Sequence, residues 1–310
     1  MCREKSKMEE MTLERVFELL PVRDRNSHKG SFGSVLTVAG SEWYRGAASL
    51  AVEGALRTGA GIVTLASVES VLSAVASRLP ECCLCPCEMG ADGGISPGVR
   101  NLDRIRRQKA TVLLMGPGLG SSAQSAARGQ ETKQLVETLV NGFSGSVLLD
   151  ADGLNAAALL LAEEKSFPHP DGELILTPHP GEMARLTGIP TREFNDSTEN
   201  RAKVALTYAE KWNAVVVLKG AGTIIASPDG RVRVNTTGNP GLARGGSGDV
   251  LSGMTAALLA CRLPAFDAAS CAVCLHGAAA DRAVTSHGEY GMLPHDLFPA
   301  LGELFAEHQR

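Results

Sequence analysis

The residues best suited to chemistry lie between 235 and 253, which read N-T-T-G-N-P-G-L-A-R-G-G-S-G-D-V-L-S-G. Five glycines precede Asp249: Gly238, Gly241, Gly245, Gly246 and Gly248. So many glycines exclude a helix interior, because each forfeits backbone entropy there. Beyond Asp249 the pattern changes. Val250, Leu251, Met254 and Leu258 recur at helical spacing. A glycine-rich loop therefore feeds a helix N-terminus. Such an end carries unpaired N–H groups and a partial positive charge, which suit phosphate. Asp249, at the helix start, can cap the helix. It can also take a proton from a hydroxyl that attacks a bound phosphoryl group. It is the only carboxylate placed at that start, so it is the candidate general base. The glycine N–H groups would hold the charge of the group in transit. A plain glycine-rich turn, with Asp249 merely a cap, would share the spacing.

Three further residues have suitable chemistry. Lys219 opens K-G-A-G-T, residues 219–223. Glycines there let the backbone approach a nucleotide, with Lys219 supplying positive charge; a solvent-facing lysine would read the same way. The stretch is not a G-x-x-x-x-G-K-[ST] phosphate loop, and G-P-G-L-G at 116–120 lacks the G-x-G-x-x-G spacing of a dinucleotide fingerprint. His179 stands between Pro178 and Pro180. Its stiffened backbone would present the imidazole to a ligand as a hydrogen-bonding group or proton donor. Glu182 fits a carboxylate that reaches Mg²⁺ through water, or an acidic first helical turn.

The elements that must position these residues alternate along the chain. A β-branched strand at 34–39, a small-residue helix at 46–58 and a strand at 62–67 make a βαβ unit. Helices are expected at 12–20, 68–79, 99–108, 123–140, 156–162, 196–212, 250–258, 266–285 and 297–306. Strands are expected at 82–87, 111–115, 146–149, 173–176 and 214–218, with a hairpin at 223–235. Five polar or glycine-rich loops follow strand ends: G-S-E-W-Y-R-G (40–46), G-P-G-L-G (116–120), D-A-D-G-L-N (150–155), T-P-H-P-G-E (177–182) and K-G-A-G-T. In open α/β sheets, ligands bind beyond the carboxyl ends of strands. One α/β domain spanning 28–310 is expected, behind a helical extension at 1–27.

Composition narrows the function classes. The chain has 310 residues, a net charge of -4 and no long basic run, so nothing marks a nucleic-acid or anionic-membrane surface. No apolar run is long enough to cross a membrane. The first residues lack the apolar segment of a signal peptide, and the expected location is the cytoplasm. Eight cysteines are present, four of them in C-C-L-C-P-C at 82–87. That stretch holds one C-x-x-C and no second, so the expectation is reduced, partly buried thiols rather than zinc.

The ordered set of motifs carries a resemblance. H-K-G, A-G-S with R-G-A-A, G-P-G-L-G, D-A-D-G-L-N, L-T-P-H-P-G-E, V-L-K-G-A-G-T and T-G-N-P-G-L-A-R-G-G-S-G-D-V-L-S-G occur in sequence from His28 to the helix after H-G-A-A-A-D at His276. The chain thereby resembles the NAD(P)H-hydrate dehydratases, within the ribokinase-like superfamily. The resemblance implies a three-layer α/β/α fold around a mostly parallel sheet. It implies repair of the (6S) hydrates of NADH and NADPH, driven by ADP or ATP with Mg²⁺, in a homotetramer. It implies that Asp249 is the catalytic carboxylate and that Ala47, Gly118, His179 and Asp249 face the hydrate. Lys219, Gly220, Ala221, Gly222, Thr223 and Gly248 would hold the nucleotide. A free-standing dehydratase that uses ADP is expected. A small-molecule kinase would share Asp249 and the glycine loop but release a stable phosphorylated product. A nucleotide sensor would not need Asp249 at the phosphate site.

Overall fold

The computed structural model describes residues 8–164 and 166–308. Its strands are β1 (Glu9–Glu10), β2 (Ser34–Val38), β3 (Ile62–Val68), β4 (Cys83–Cys87), β5 (Val112–Met115), β6 (Ser146–Leu149), β7 (Leu174–Leu176), β8 (Val215–Leu218), β9 (Ile224–Ala226) and β10 (Val232–Val234). They form one sheet in the order β1-β10-β9-β8-β7-β6-β5-β2-β3-β4. Only β9 runs against its neighbours; the other pairings are parallel. Strands β5, β6 and β8 are almost wholly buried, as continuous Val/Leu runs must be when helices cover both faces.

The helices are α1 (Leu13–Leu19), α2 (Arg45–Arg57), α3 (Glu69–Ala76), α4 (Val99–Arg106), α5 (Ala126–Val140), α6 (Asp152–Ala162), α7 (Pro180–Thr187), α8 (Thr198–Trp212), α9 (Ser247–Ala260), α10 (Ala265–Gly291) and α11 (Leu297–Glu307). Right-handed crossovers place α2 and α3 on one face and α5, α6 and α8 on the other. On the first face, α9 packs against α2, β2, β5 and β6, and α10 against α9 and β7 to β9. Helices α1 and α11 pack on α10. The second face is continuous from α4 through α5 and α6 to α7, with α8 over β8 and β9. This is the three-layer α/β/α architecture around a mostly parallel sheet.

The strand order reverses between β2 and β5. From β2 the chain steps outward through β3 to β4, then returns to β5 and proceeds the other way. A crevice opens beyond the carboxyl ends at such a switch point. All five loops singled out above lie along this edge, because each follows a strand of the parallel set.

Three elements differ from expectation. The stretch 177–182, read as a loop, runs into helix α7: Pro180 occupies its first turn, and Gly188 ends it in the left-handed conformation at φ 74°. Strand β1 was not anticipated; its two residues pair with β10 in parallel, and α1 buries Val16, so residues 8–20 are built into the domain. Helix α10 continues past 285 to Gly291, with Gly288 at φ 64° departing from helical geometry inside it. Seven of the cysteines lie among the described residues; none is in a disulfide and only Cys83 is exposed. Cys2 lies outside the described residues. Among the described residues, no helix is long and apolar enough to cross a membrane.

Candidate active site

Helix α9 begins at Ser247, and its N-cap is Gly246 in the left-handed region at φ 101°. No side chain caps this end. Asp249 is therefore not the cap, as the spacing suggested, but the third helical residue. The Ser247 N–H is taken by the Arg244 carbonyl at 3.3 Å, and those of Gly248 and Asp249 stay available for an anion. Two residues of α10 fix the loop in front. Asp281 accepts hydrogen bonds from the Gly238 N–H at 2.8 Å and from Asn239 at 3.1 Å. His276 lies 3.0 Å from the Ser247 carbonyl through Nε2. Burial pushes its pKa down to about 4, so the neutral ring donates this bond and holds the turn into α9.

Beneath that helix end lies a charge cluster drawn from four segments. Asp150, just after β6, is buried. Its Oδ1 accepts from Thr177 Oγ1 at 2.8 Å and from Lys219 Nζ at 2.7 Å; its Oδ2 accepts from Ser252 Oγ at 2.5 Å. Burial alone would raise the Asp150 pKa, but the Lys219 charge and these hydrogen bonds outweigh it and hold the carboxyl below its ordinary value. Lys219 is not solvent-facing: its side chain is 18% exposed, and Glu182 Oε2 lies 3.9 Å from its ammonium. Desolvation opposes its charge, yet the surrounding carboxylates Asp150, Glu182 and Asp249 raise its pKa. Asp249 is thus one of several carboxylates here rather than the sole one, because Asp150 and Glu182 arrive from distant segments.

Asp249 differs from Asp150 in having no partner. Among the described residues it makes no hydrogen bond or ion pair. Burial and the neighbouring Asp150 push its pKa up to about 7 against the pull of Lys219. A carboxyl near neutrality, unpaired and beside open N–H donors, is suited to accept a proton at physiological pH. Gly248 completes this corner. A Cβ built there would sit 3.5 Å from Lys219 Nζ and 4.0 Å from Asp150 Oδ2, an ordinary contact. The protein itself leaves room for a side chain at 248, so the glycine keeps that space open above the ammonium.

His179 caps α7. Its Nδ1 accepts from the N–H groups of Gly181 at 3.0 Å and Glu182 at 3.3 Å, while Glu182 Oε2 accepts from the His179 N–H at 2.8 Å. This reciprocal capping box fixes the tautomer: Nδ1 is an acceptor, so the neutral ring carries its proton on Nε2. Burial, then the charges of Lys219 and Arg185, lower its pKa and favour that neutral form. The half-exposed imidazole therefore carries one N–H donor, Nε2, with Glu182 Oε1 3.4 Å from it. Burial also raises Glu182 to about 7, with Lys219 opposing and Asp150 reinforcing the shift.

The remaining expected site residues fall around the same edge. Residues 219–223 follow β8, and the Thr223 hydroxyl donates back to the Gly220 carbonyl at 2.9 Å. Ala47 lies in the first turn of α2, against Gly118. Gly118 adopts φ 65°, and a Cβ there would come within 2.8–2.9 Å of Tyr44 and Ala47. No other residue type permits this approach of the β5 loop to the β2 loop. Ala47 and Gly118 thus line the β2/β5 switch point, and the 219–223 loop lies beyond β8 on the same edge. Sequence reasoning missed Asp150, Thr177, Ser252 and His276 as organisers of the site. It also missed Arg201 of α8, whose guanidinium donates to four carbonyls of the 218–222 backbone.

The architecture and switch-point site define a ribokinase-like α/β protein. A ribokinase-like superfamily protein from Enterococcus faecalis matches it with a TM-score of 0.78 at 25% identity, over 97% of this chain and 96% of that one. The chain belongs to the NAD(P)H-hydrate dehydratase family, whose model matches residues 35–302. An ADP-dependent (S)-NAD(P)H-hydrate dehydratase from Bacillus subtilis is 36% identical, over 92% of this chain and 94% of that protein. The structure of an ADP/ATP-dependent NAD(P)H-hydrate dehydratase from B. subtilis, co-crystallised with ATP/Mg²⁺, matches with a TM-score of 0.78 at 32% identity, covering 97% and 99% of the two chains. A bifunctional NAD(P)H-hydrate repair enzyme from Moorella thermoacetica is 40% identical over 91% of this chain but 51% of its own length. The chain thus spans about half the length of the bifunctional relatives it matches.

Proposed function

We propose that this protein restores NADH and NADPH from their hydrates, consuming one ADP or ATP per cofactor. The observation that carries this reading is the uncapped N-terminus of α9, with unpaired Asp249 beside it and Lys219 below. Asp249 accepts the proton of the hydrate hydroxyl as its oxygen attacks the terminal phosphoryl group. The N–H groups of α9 hold the charge of the group in transit. The phosphorylated hydroxyl is a far better leaving group than hydroxide. The ring nitrogen's lone pair expels phosphate, and loss of a proton from the adjacent ring carbon restores the double bond. Ala47, Gly118 and His179 hold the hydrate at the switch point; residues 219–223 and Gly248 hold the nucleotide.

Among the described residues, no group of three or more His, Cys, Asp or Glu side chains forms a metal cage. Mg²⁺ that arrives on nucleotide phosphates keeps several waters and takes only one or two carboxylates from a protein. Glu182 is the carboxylate that would meet it through water, and it would shield the phosphate charge. The family resemblance supports a cytoplasmic homotetramer.

The test uses hydrate carrying heavy oxygen in the hydroxyl. The label is expected in inorganic phosphate, with one nucleotide consumed per cofactor restored. Label in water, or restoration without nucleotide, refutes the phosphoryl route.

A second prediction separates the two ligands. His179→Ala is expected to weaken hydrate binding while leaving ADP affinity nearly unchanged. It also removes the α7 cap, at a cost of about 1 kcal/mol, which His179→Asn restores without the Nε2 donor. Calorimetry in which ADP affinity falls and hydrate affinity holds would reverse the assignment.

A further inference from the structure

The charge of Lys219 is matched by Asp150 and Glu182. Arg201 is different. Its residue is buried, and no carboxylate pairs with it among the described residues. Its Nη1 donates to the carbonyls of Ala221 at 2.5 Å and Gly222 at 3.0 Å; its Nη2 donates to those of Leu218 at 3.0 Å and Lys219 at 3.2 Å. Among the described residues its Nε finds no partner. A buried cation solvated by backbone dipoles alone is costly, and a helix that needed only packing would not carry one.

The arrangement has two consequences. Peptide planarity sets each N–H opposite the preceding carbonyl. With the carbonyls of Lys219, Ala221 and Gly222 turned toward Arg201, the N–H groups of Gly220, Gly222 and Thr223 are turned away from it. The Gly220 N–H is taken by the Thr223 hydroxyl at 3.3 Å, leaving the other two to face a ligand. The guanidinium also leaves a unit of positive charge behind the loop with no counter-ion among the described residues.

We propose that Arg201 is a positioning residue that makes the 219–223 loop an anion receptor, its unmatched charge answered by a nucleotide phosphate. This rests on the nucleotide-dependent reading above. The ligand class is a polyphosphate, which touches the loop and not Arg201 itself.

The test titrates ADP and hydrate separately into the full chain, as wild type, Arg201→Lys and Arg201→Met. Lysine keeps the charge but loses the fork. We expect ADP affinity to fall about tenfold in Arg201→Lys and about a hundredfold in Arg201→Met. Hydrate affinity should stay within about twofold, and nucleotide KM should rise while kcat at saturation holds in Arg201→Lys. A purely structural residue would weaken both ligands together. Equal losses, or ADP affinity within about twofold of wild type in folded Arg201→Lys, would overturn the proposal. If Arg201→Met does not fold, Arg201→Lys decides. Wild-type protein that restores cofactor yet binds no ADP would overturn the nucleotide-dependent reading as well, and is recognised without any variant.

Discussion

Asp249→Asn is expected to lower turnover by about two to four orders of magnitude while leaving nucleotide binding largely intact. Asparagine preserves the shape of the side chain and the start of α9 but cannot take a proton. Among the described residues Asp249 makes no hydrogen bond that the substitution would break, so the lost function is separable from folding. The pKa of about 7 adds a second signature. The basic form develops as pH rises through about 7, so wild-type turnover should climb over that interval. The residual activity of the variant should lack this limb. The same shift sets the sign for stability. A carboxyl whose folded pKa lies above its unfolded value stabilises the fold while protonated, and that contribution is lost as pH rises through the folded value. Above neutrality the folded wild type therefore carries an unpaired, partly buried charge that asparagine removes. Asp249→Asn is expected to be more stable at pH 8 by about 1–2 kcal/mol. Near-normal turnover in the folded variant would exclude Asp249 as the base. Loss of stability at pH 8 would show that the carboxylate has a partner in the fold.

How much of this was legible in the sequence depends on the range of the interaction. Strands β5, β6 and β8 are short Val/Leu runs closed by glycine or polar residues, and such runs declare buried parallel strands locally. The loops behind them therefore declared the functional edge. Helix α7 escaped because only Met183 and Leu186 bury apolar side chains in its eight residues, too few for a period. Its cap was nonetheless written in H-P-G-E, with proline at the first position and glutamate at the third. Strand β1 escaped for the opposite reason: two residues carry no pattern, and their pairing with Arg233 and Val234 is set more than two hundred residues away.

The site was legible as parts and not as an assembly. Asp249, Lys219 and His179 were found because glycines or prolines flank them. Asp150 meets Ser252 across 102 residues of chain and Lys219 across 69, and no local pattern reports such a contact. Arg201 reads as a helical surface arginine by type, and only its four carbonyl partners reveal a buried one. The cap of α9 was misassigned for a related reason. An aspartate after glycine is a cap by propensity, but Gly246 at φ 101° starts the helix three residues earlier.

The largest stability effect is expected from the pair beneath α9. Lys219→Met removes the cation that holds Asp150 ionised and should cost about 3–5 kcal/mol, because a buried carboxylate loses its counter-charge. In the wild type, Asp150 is held below its ordinary pKa, so its contribution is present above that range and lost on acidification. Lys219 is raised, so its contribution is lost only as pH climbs through its folded value in the alkaline range. Across the interval between them the pair contributes no pH dependence of its own. Without Lys219, burial acts on Asp150 unopposed and its pKa rises. The sign then reverses: the variant should be least destabilised in mild acid, where Asp150 protonates, and progressively weaker toward pH 8. Pairing Lys219→Met with Asp150→Asn removes the stranded charge and should return much of the lost stability, a coupling of about 1–3 kcal/mol. The double variant should still bind nucleotide poorly, because Gly248 then stands over a neutral methionine. Denaturant unfolding of the wild type, both single variants and the double, at pH 5.5 and pH 8, measures these terms. Additive single-variant losses would mean that Thr177 and Ser252, rather than Lys219, keep Asp150 ionised, and that the ammonium at this corner is held for the ligand instead of for the fold.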